Sequence, residues 1–306
     1  MNELNQNQKI RVKKRGNALG IWFFDFLLKT FGLKSAYVLL EVVCAYYLFF
    51  DWEAVASAMA YIEKRFPHAS RLNKYYRIHR LFVNQGRQLI DRHAILGRAD
   101  YFTFQENWAK ETKNTLQESS KGVILLTSHV GNWQVALRQI GHLKKNICIV
   151  MRPEDNAAVQ KSLKLGNEER PVKVINPEGH LGGVLEMIQA LEEGSVVCIM
   201  GDRAYGFDTV EVPFLGHPAN FPYGAFSVAA AAGCPIIPFL TYKISERKYV
   251  VDVSHIWHPI YIEAEKKKDQ LKKWVEIYVK LLEKFVGAHP YECFLFHDVW
   301  AEAKGV

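Results

Sequence analysis

Residues 121–134 read KGVILLTSHVGNWQ, an apolar run that ends in serine and histidine and continues through glycine, asparagine, tryptophan and glutamine. Imidazole is the side chain whose ordinary proton affinity lies nearest neutral pH. Held at the open end of a buried strand, it can take a proton from a hydroxyl or from water. Gly131 and Asn132 let the backbone turn sharply just behind His129, where a helix is expected to begin. Ligands of open α/β sheets lie beyond the carboxyl ends of the strands, so other polar strand-end residues are the natural partners of this ring. Those are Ser128, Arg152, Asn176, Glu178, Gly201, Asp202 and Arg203. A solitary histidine is more often structural than catalytic. Its place at a strand end beside a helix start makes His129 a candidate base.

The elements that would position these residues follow from the hydrophobic pattern. Beyond Lys121 the chain alternates between short apolar runs and helical stretches: GVILLTSH, NWQVALRQIGHL, NICIVMR, EDNAAVQKSLKLG, PVKVINP, HLGGVLEMIQALEEG, SVVCIMGD, FPYGAFSVAAAAG, CPIIPFLTY and YVVDVSHIW. Continuous apolar strands separated by helices predict a mostly parallel sheet covered on both faces, hence the α/β class. The segment EAEKKKDQLKKWVEIYVKLLEKFVGAHP predicts a long amphipathic helix with Leu271, Trp274, Val275, Ile277, Tyr278, Leu281, Leu282 and Phe285 on its apolar side.

The N-terminal third has a different character. A basic patch, KIRVKKRGN, leads into a largely apolar, aromatic stretch that is interrupted by Asp25, Lys29, Lys34 and Glu41. Spanning a bilayer takes about 20 mostly apolar residues, so these charges argue against a clean transmembrane span and equally against a cleaved signal. One or two helices lying in the lipid interface are expected instead, with Trp22, Phe23, Phe24, Phe26, Tyr46, Tyr47 and Phe49 in the apolar layer. Capping of the core by the same helices is the bland alternative. From Asp51 to Gly97 the pattern stays helical, with a break at Pro67 and a new start near Arg71. Arg71, Lys74, Arg77 and Arg80 then form a basic stripe that faces either water or anionic lipid. The expected division is a helical, membrane-associating region over 1–97 and an α/β domain over 98–306.

At 306 residues, 49% hydrophobic and 23% charged, the chain can bury a full core and is not of disordered composition. A net charge of +7 points to anionic partners. The lysines are spread along helices without a nucleic-acid-binding motif, which disfavours nucleic acid. Five dispersed cysteines, with no C-x-x-C pair and no metal-ligand spacing, read as reduced buried thiols.

SHVGNWQVA resembles the first motif of the lipid A biosynthesis acyltransferases, within the wider lysophospholipid acyltransferase superfamily. In that motif histidine, any residue, glycine, asparagine, tryptophan and a carboxylate follow in order. The stretch GDRAYGFDTVEVPFLGHPANFPYGAFSVAAAAGCPIIPFLTYK resembles the later blocks of that family, and FLFHDVW its closing element, so the likeness runs in order from about 121 to 300. It implies transfer of a fatty acyl chain from acyl carrier protein or coenzyme A to a hydroxyl or amine of a lipid or glycolipid. By the same resemblance the protein sits on the cytoplasmic face of a bacterial inner membrane and needs no metal or bound cofactor. His129 would be the general base, and the tetrahedral oxyanion would be met by Arg203, Arg152 or the amides of Gly131 and Asn132.

The sequence departs from that pattern at Gln134, which stands where the family usually has Glu or Asp. A glutamine carbonyl can fix the tautomer of the ring but cannot offset its developing charge. In a serine protease the amide replacement of the orienting carboxylate costs about 10⁴ in rate. Asp202 or Glu178 could supply the missing charge from a neighbouring strand end, Gln134 could orient the ring alone, or the protein could be a degenerate member that only binds lipid. A hydrolase or thioesterase on the same scaffold is a further alternative. His297 is followed by Asp298 and Val299 where relatives often carry arginines.

Overall fold

The computed structural model describes residues 18–97, 100–140, 145–152, 172–203, 208–294 and 299–300. Four helices come first: α1 (Ala18–Phe31), α2 (Leu33–Phe50), α3 (Trp52–Arg65) and α4 (Arg71–Gly97). Asp51 separates α2 from α3 and caps the latter, its carboxylate accepting the Ala54 amide at 3.0 Å. Then come β1 (Thr103–Trp108), α5 (Lys110–Glu118), β2 (Val123–Thr127), α6 (Trp133–Ile140), β3 (Ile147–Val150) and β4 (Lys173–Ile175). They are followed by α7 (Val184–Glu192), β5 (Val196–Met200), the hairpin β6 (Thr209–Phe214) and β7 (His217–Pro222), and α8 (Gly224–Ala232). The chain continues through β8 (Ile236–Pro238), β9 (Leu240–Ser245), β10 (Lys248–Val253) and the long α9 (Lys267–Ala288).

The main sheet has the order β4-β3-β5-β2-β8, and every pairing in it is parallel. The predicted α/β class therefore holds. Side chains alternate between two apolar layers along each strand: Ile124 and Leu126 of β2 and Val197 and Ile199 of β5 enter one, and Val123, Leu125, Val196 and Cys198 enter the other. A second sheet, β1-β10-β9, pairs β1 with β10 in parallel and β10 with β9 antiparallel. CPIIPFLTY, predicted as one strand, is divided between the two sheets: Pro238 ends β8, and Phe239 makes its last bond to the Leu126 carbonyl at 2.8 Å before β9 begins. Proline offers no N–H with which to continue the ladder.

Other expectations need smaller adjustments. Helix α7 starts four residues later than HLGG suggests, because Leu181, Gly182 and Gly183 adopt positive φ. On α9 Leu271, Val275, Tyr278, Leu282 and Phe285 are buried as predicted, whereas Ile277 is 43% exposed. The predicted helix EDNAAVQKSLKLG lies outside the described residues, as do the basic patch KIRVKKRGN and the pair His297 and Asp298.

Helix α2 buries Leu33, Ala36, Leu40 and Cys44 and presents Val38, Val42, Tyr46, Phe49 and Phe50 outward. Trp22, Phe23, Phe26 and Phe31 of α1 are exposed as well. Among the described helices α2 alone is long and apolar enough to cross a membrane, with a mean hydropathy of 1.5 and 22% of its residues buried. The basic stripe on α4 is largely committed within the protein. Lys74 pairs with Glu63, while Arg77 stacks 3.8 Å from the Phe66 ring centroid and donates to the Tyr291 hydroxyl. All five cysteines are buried thiols without disulfides.

Candidate active site

Strands β2 and β5 run parallel and in register, with Thr127 opposite Met200. The ladder continues one step further, where the Gly201 amide donates to the Thr127 carbonyl at 2.7 Å. The residues just past both ends, His129 and Asp202, are therefore neighbours by construction. The His129 ring Nδ1 lies 2.9 and 3.1 Å from the two oxygens of the Asp202 carboxylate, and the His129 backbone amide donates to Oδ2 at 3.0 Å. Asp202 is fully enclosed, whereas the His129 side chain keeps 22% of its surface exposed.

This geometry fixes the state of the pair. Burial alone would push the Asp202 carboxyl up, but the His129 charge, its two hydrogen bonds and the nearby Arg203 outweigh it and hold the group down at about 2. An ionised carboxylate only accepts, so in the neutral form of the ring the proton sits on Nδ1 and the lone pair on Nε2. Among the described residues Nε2 has no hydrogen-bond partner.

Several features hold the ring in place. Gly201 packs so closely under the sheet that a Cβ there would lie 2.6 Å from the Tyr278 ring. Tyr278, reaching in from α9, donates to the Thr127 carbonyl at 2.8 Å and also hydrogen bonds the Ser128 hydroxyl. Gly131 has φ +56°, and a Cβ on it would lie 1.6 Å from the Thr241 carbonyl oxygen, so no other residue fits this turn. The chain segment after α9 closes the turn from behind: the Gly131 amide donates to the Glu292 carbonyl at 2.8 Å, and the Phe294 amide donates to the His129 carbonyl at 2.7 Å.

The residues singled out in the sequence separate into three groups. His129, Asp202 and Arg203 come together. Arg152 and Glu178 meet each other, Nε to Oε1 at 2.9 Å, on a half-exposed surface beyond β3 and β4. Gly131 and Asn132 turn inward: the Gly131 amide is already taken, and the Asn132 side chain is fully buried, with its amide donating to the Gln88 carbonyl at 3.1 Å and its oxygen accepting from Arg92 Nε at 3.1 Å. Gln134, in the first turn of α6, is half-buried and makes no hydrogen bond to the His129 ring among the described residues. Sequence reasoning missed Tyr278, Thr241 and Glu292. They reach the turn from 110 or more residues further along the chain, and only the apolar setting of Tyr278 marked one of them as a core residue. Among the described residues no group of three His, Cys, Asp or Glu side chains could hold a metal ion.

No curated protein matches the chain. Among solved structures, the 1-acyl-sn-glycerophosphate (LPA) acyltransferase PlsC from Thermotoga maritima aligns over 82% of this chain and 98% of its own, at 14% identity and a TM-score of 0.41. The sequence model for bacterial lipid A biosynthesis acyltransferases matches residues 9–302, nearly the full length. The chain thus belongs to the bacterial lipid A biosynthesis acyltransferase family and is a lipid acyltransferase.

Proposed function

We propose that His129 is the general base of this acyltransferase and that Asp202 takes the orienting role usually given to the acid of the first motif. The His129–Asp202 hydrogen bond carries this assignment: it fixes the tautomer that leaves Nε2 basic and supplies the negative charge that Gln134 lacks. Nε2 removes the proton from an acceptor hydroxyl or amine as that atom attacks the carbonyl carbon of an acyl thioester. The tetrahedral intermediate then collapses with cleavage of the C–S bond, and the imidazolium returns its proton to the departing thiolate. Arg203, beside Asp202, is the side chain assigned to anionic substrate groups. The Arg152–Glu178 pair lies further out and is assigned to the donor or acceptor headgroup.

The donor is acyl carrier protein, which suits a net charge of +7, or else coenzyme A, and the acceptor is a lipid or glycolipid. The apolar outer faces of α1 and α2 are assigned to the cytoplasmic surface of the inner membrane, where both substrates meet. Acyl transfer from a thioester donor to a lipid acceptor in vesicles, in wild type and in His129→Ala, Asp202→Asn, Gln134→Glu and Gln134→Ala, tests the assignment. Loss in the first two with near-normal turnover in the last two is expected. Full activity of Asp202→Asn would refute the orienting role. Release of free fatty acid without acylated acceptor would make the protein a hydrolase.

A further inference from the structure

Beneath α4, away from the His129–Asp202 pair, lies a second enclosed carboxylate that acyl transfer does not use directly. Asp91 is fully buried. It accepts hydrogen bonds from the hydroxyls of Tyr37 on α2 and Tyr249 on β10, and it pairs with the Lys243 ammonium from β9. Lys243 lies 5.0–5.1 Å from the ring centroids of Tyr37, Phe102 and Tyr249, so its charge is held by π-faces as well as by the carboxylate. Burial pushes the Asp91 carboxyl up and the Lys243 ammonium down, and their mutual contact opposes both shifts.

The direction of the hydrogen bonds matters here. An ionised Asp91 can only accept, so the Tyr249 hydroxyl must donate to it and turns its oxygen lone pairs elsewhere. One of them receives the Asn132 amide at 3.3 Å. The other amide hydrogen of Asn132 goes to the Gln88 carbonyl, and its oxygen accepts from Arg92, the neighbour of Asp91 on α4. All polar atoms of the Asn132 side chain are thus held in one orientation, three residues from His129. A second path leads to the same turn. The Glu292 carboxylate accepts the Lys243 backbone amide at 3.1 and 3.3 Å, while the Glu292 carbonyl holds the Gly131 amide.

We propose that Asp91 is a positioning residue for acyl transfer: through Tyr249 and Asn132 it fixes the turn that carries His129, so the helical layer α2–α4 sets the geometry of the base. This rests on the assignment of His129 as base, and it extends that assignment to residues that touch no substrate. A misplacement of about 1 Å at a reacting group can cost about 10²-fold in rate. Loss of the polarised chain is therefore expected to act on kcat rather than on KM.

The test uses the full chain labelled with ¹⁵N-histidine, with the Nδ1–H signal of His129 assigned by its disappearance in His129→Ala. Asp91→Asn and Tyr249→Phe are compared with Leu271→Ala, a core truncation at the start of α9 that serves as a stability control. In the first two, kcat is expected to fall about ten- to hundred-fold with KM within about two-fold, and the His129 signal to shift or broaden. In Leu271→Ala, with a similar loss of thermal stability, the signal should stay put. An unchanged signal and kcat in folded Asp91→Asn would overturn the proposal. Should that variant not fold, Tyr249→Phe, which removes a single oxygen, decides by the same two readouts. If His129→Ala keeps full turnover while the signal still moves in Asp91→Asn, the base assignment fails and the positioning contact stands.

Discussion

Two enclosed aspartates, Asp202 at the carboxyl edge of the parallel sheet and Asp91 under α4, are both removed from water and both matched to a nitrogen base, yet their surroundings differ. Asp202 binds one residue twice, through the ring and the backbone amide of His129, and that side chain is partly exposed. Asp91 is surrounded by two tyrosine hydroxyls and an ammonium that is itself ringed by aromatics. Burial of a carboxylate is therefore no mark of catalysis. What distinguishes the first site is its partner, a partly exposed imidazole, where the second has an ammonium held among aromatic rings.

The largest expected effect tests that distinction directly. His129→Ala and Asp202→Asn should each lower kcat by about 10³–10⁴, measured by steady-state acyl transfer. At the other site the ion pair itself is probed through stability. Lys243→Met leaves Asp91 buried without its cation and should cost about 3–5 kcal/mol in denaturant unfolding, and the double change Asp91→Leu with Lys243→Met should recover part of that loss. If the double variant is no more stable than the single, the ion pair is not the source of the penalty.

Gly131→Ala bears on both regions, because its turn joins them. With φ +56° and the Thr241 carbonyl 1.6 Å from the added carbon, backbone must move, and a loss of several kcal/mol together with activity is expected. Glu292 gives a finer probe. Burial pushes its carboxyl up to about 7, against the pull of the Lys243 amide and charge. An acid with a folded-state value above its ordinary 4.5 holds more protons when folded, so stability should fall as pH rises from about 4.5 to about 7. Glu292→Gln should flatten that slope in thermal melts across this window. The smallest effect belongs to Gln134→Glu, which should change kcat by no more than several-fold, since Nδ1 is already occupied.

Much of this contrast was legible in the chain itself, though unevenly. The strands GVILLTSH and SVVCIMGD read as buried and parallel, and the polar residues at strand ends offer Asp202 and Glu178 alike as carboxylates for His129. Gln134 flagged where a carboxylate had to come from, without saying whether Asp202 or Glu178 would provide it. That choice depends on strand order, since β5 and not β4 lies beside β2, and order is a property of the assembled sheet. Asp91 gave no signal. It sits in a helix with ordinary polar spacing, and its partners come from residues 37, 243 and 249 in three other elements. The strand β1 and the division of CPIIPFLTY between two sheets were hidden for the same reason: both depend on pairing between distant segments.

The five enclosed thiols lend the molecule a built-in clock. Burial pushes Cys234 up to about 11 and raises Cys148 too, so neither offers a thiolate to an alkylating reagent while its surroundings stay closed. Modification then waits on local opening. Cys44 lies on α2 and Cys198 at the centre of the main sheet, so the order in which a mass spectrometer finds them tagged would tell whether the helical layer peels away before the sheet comes apart.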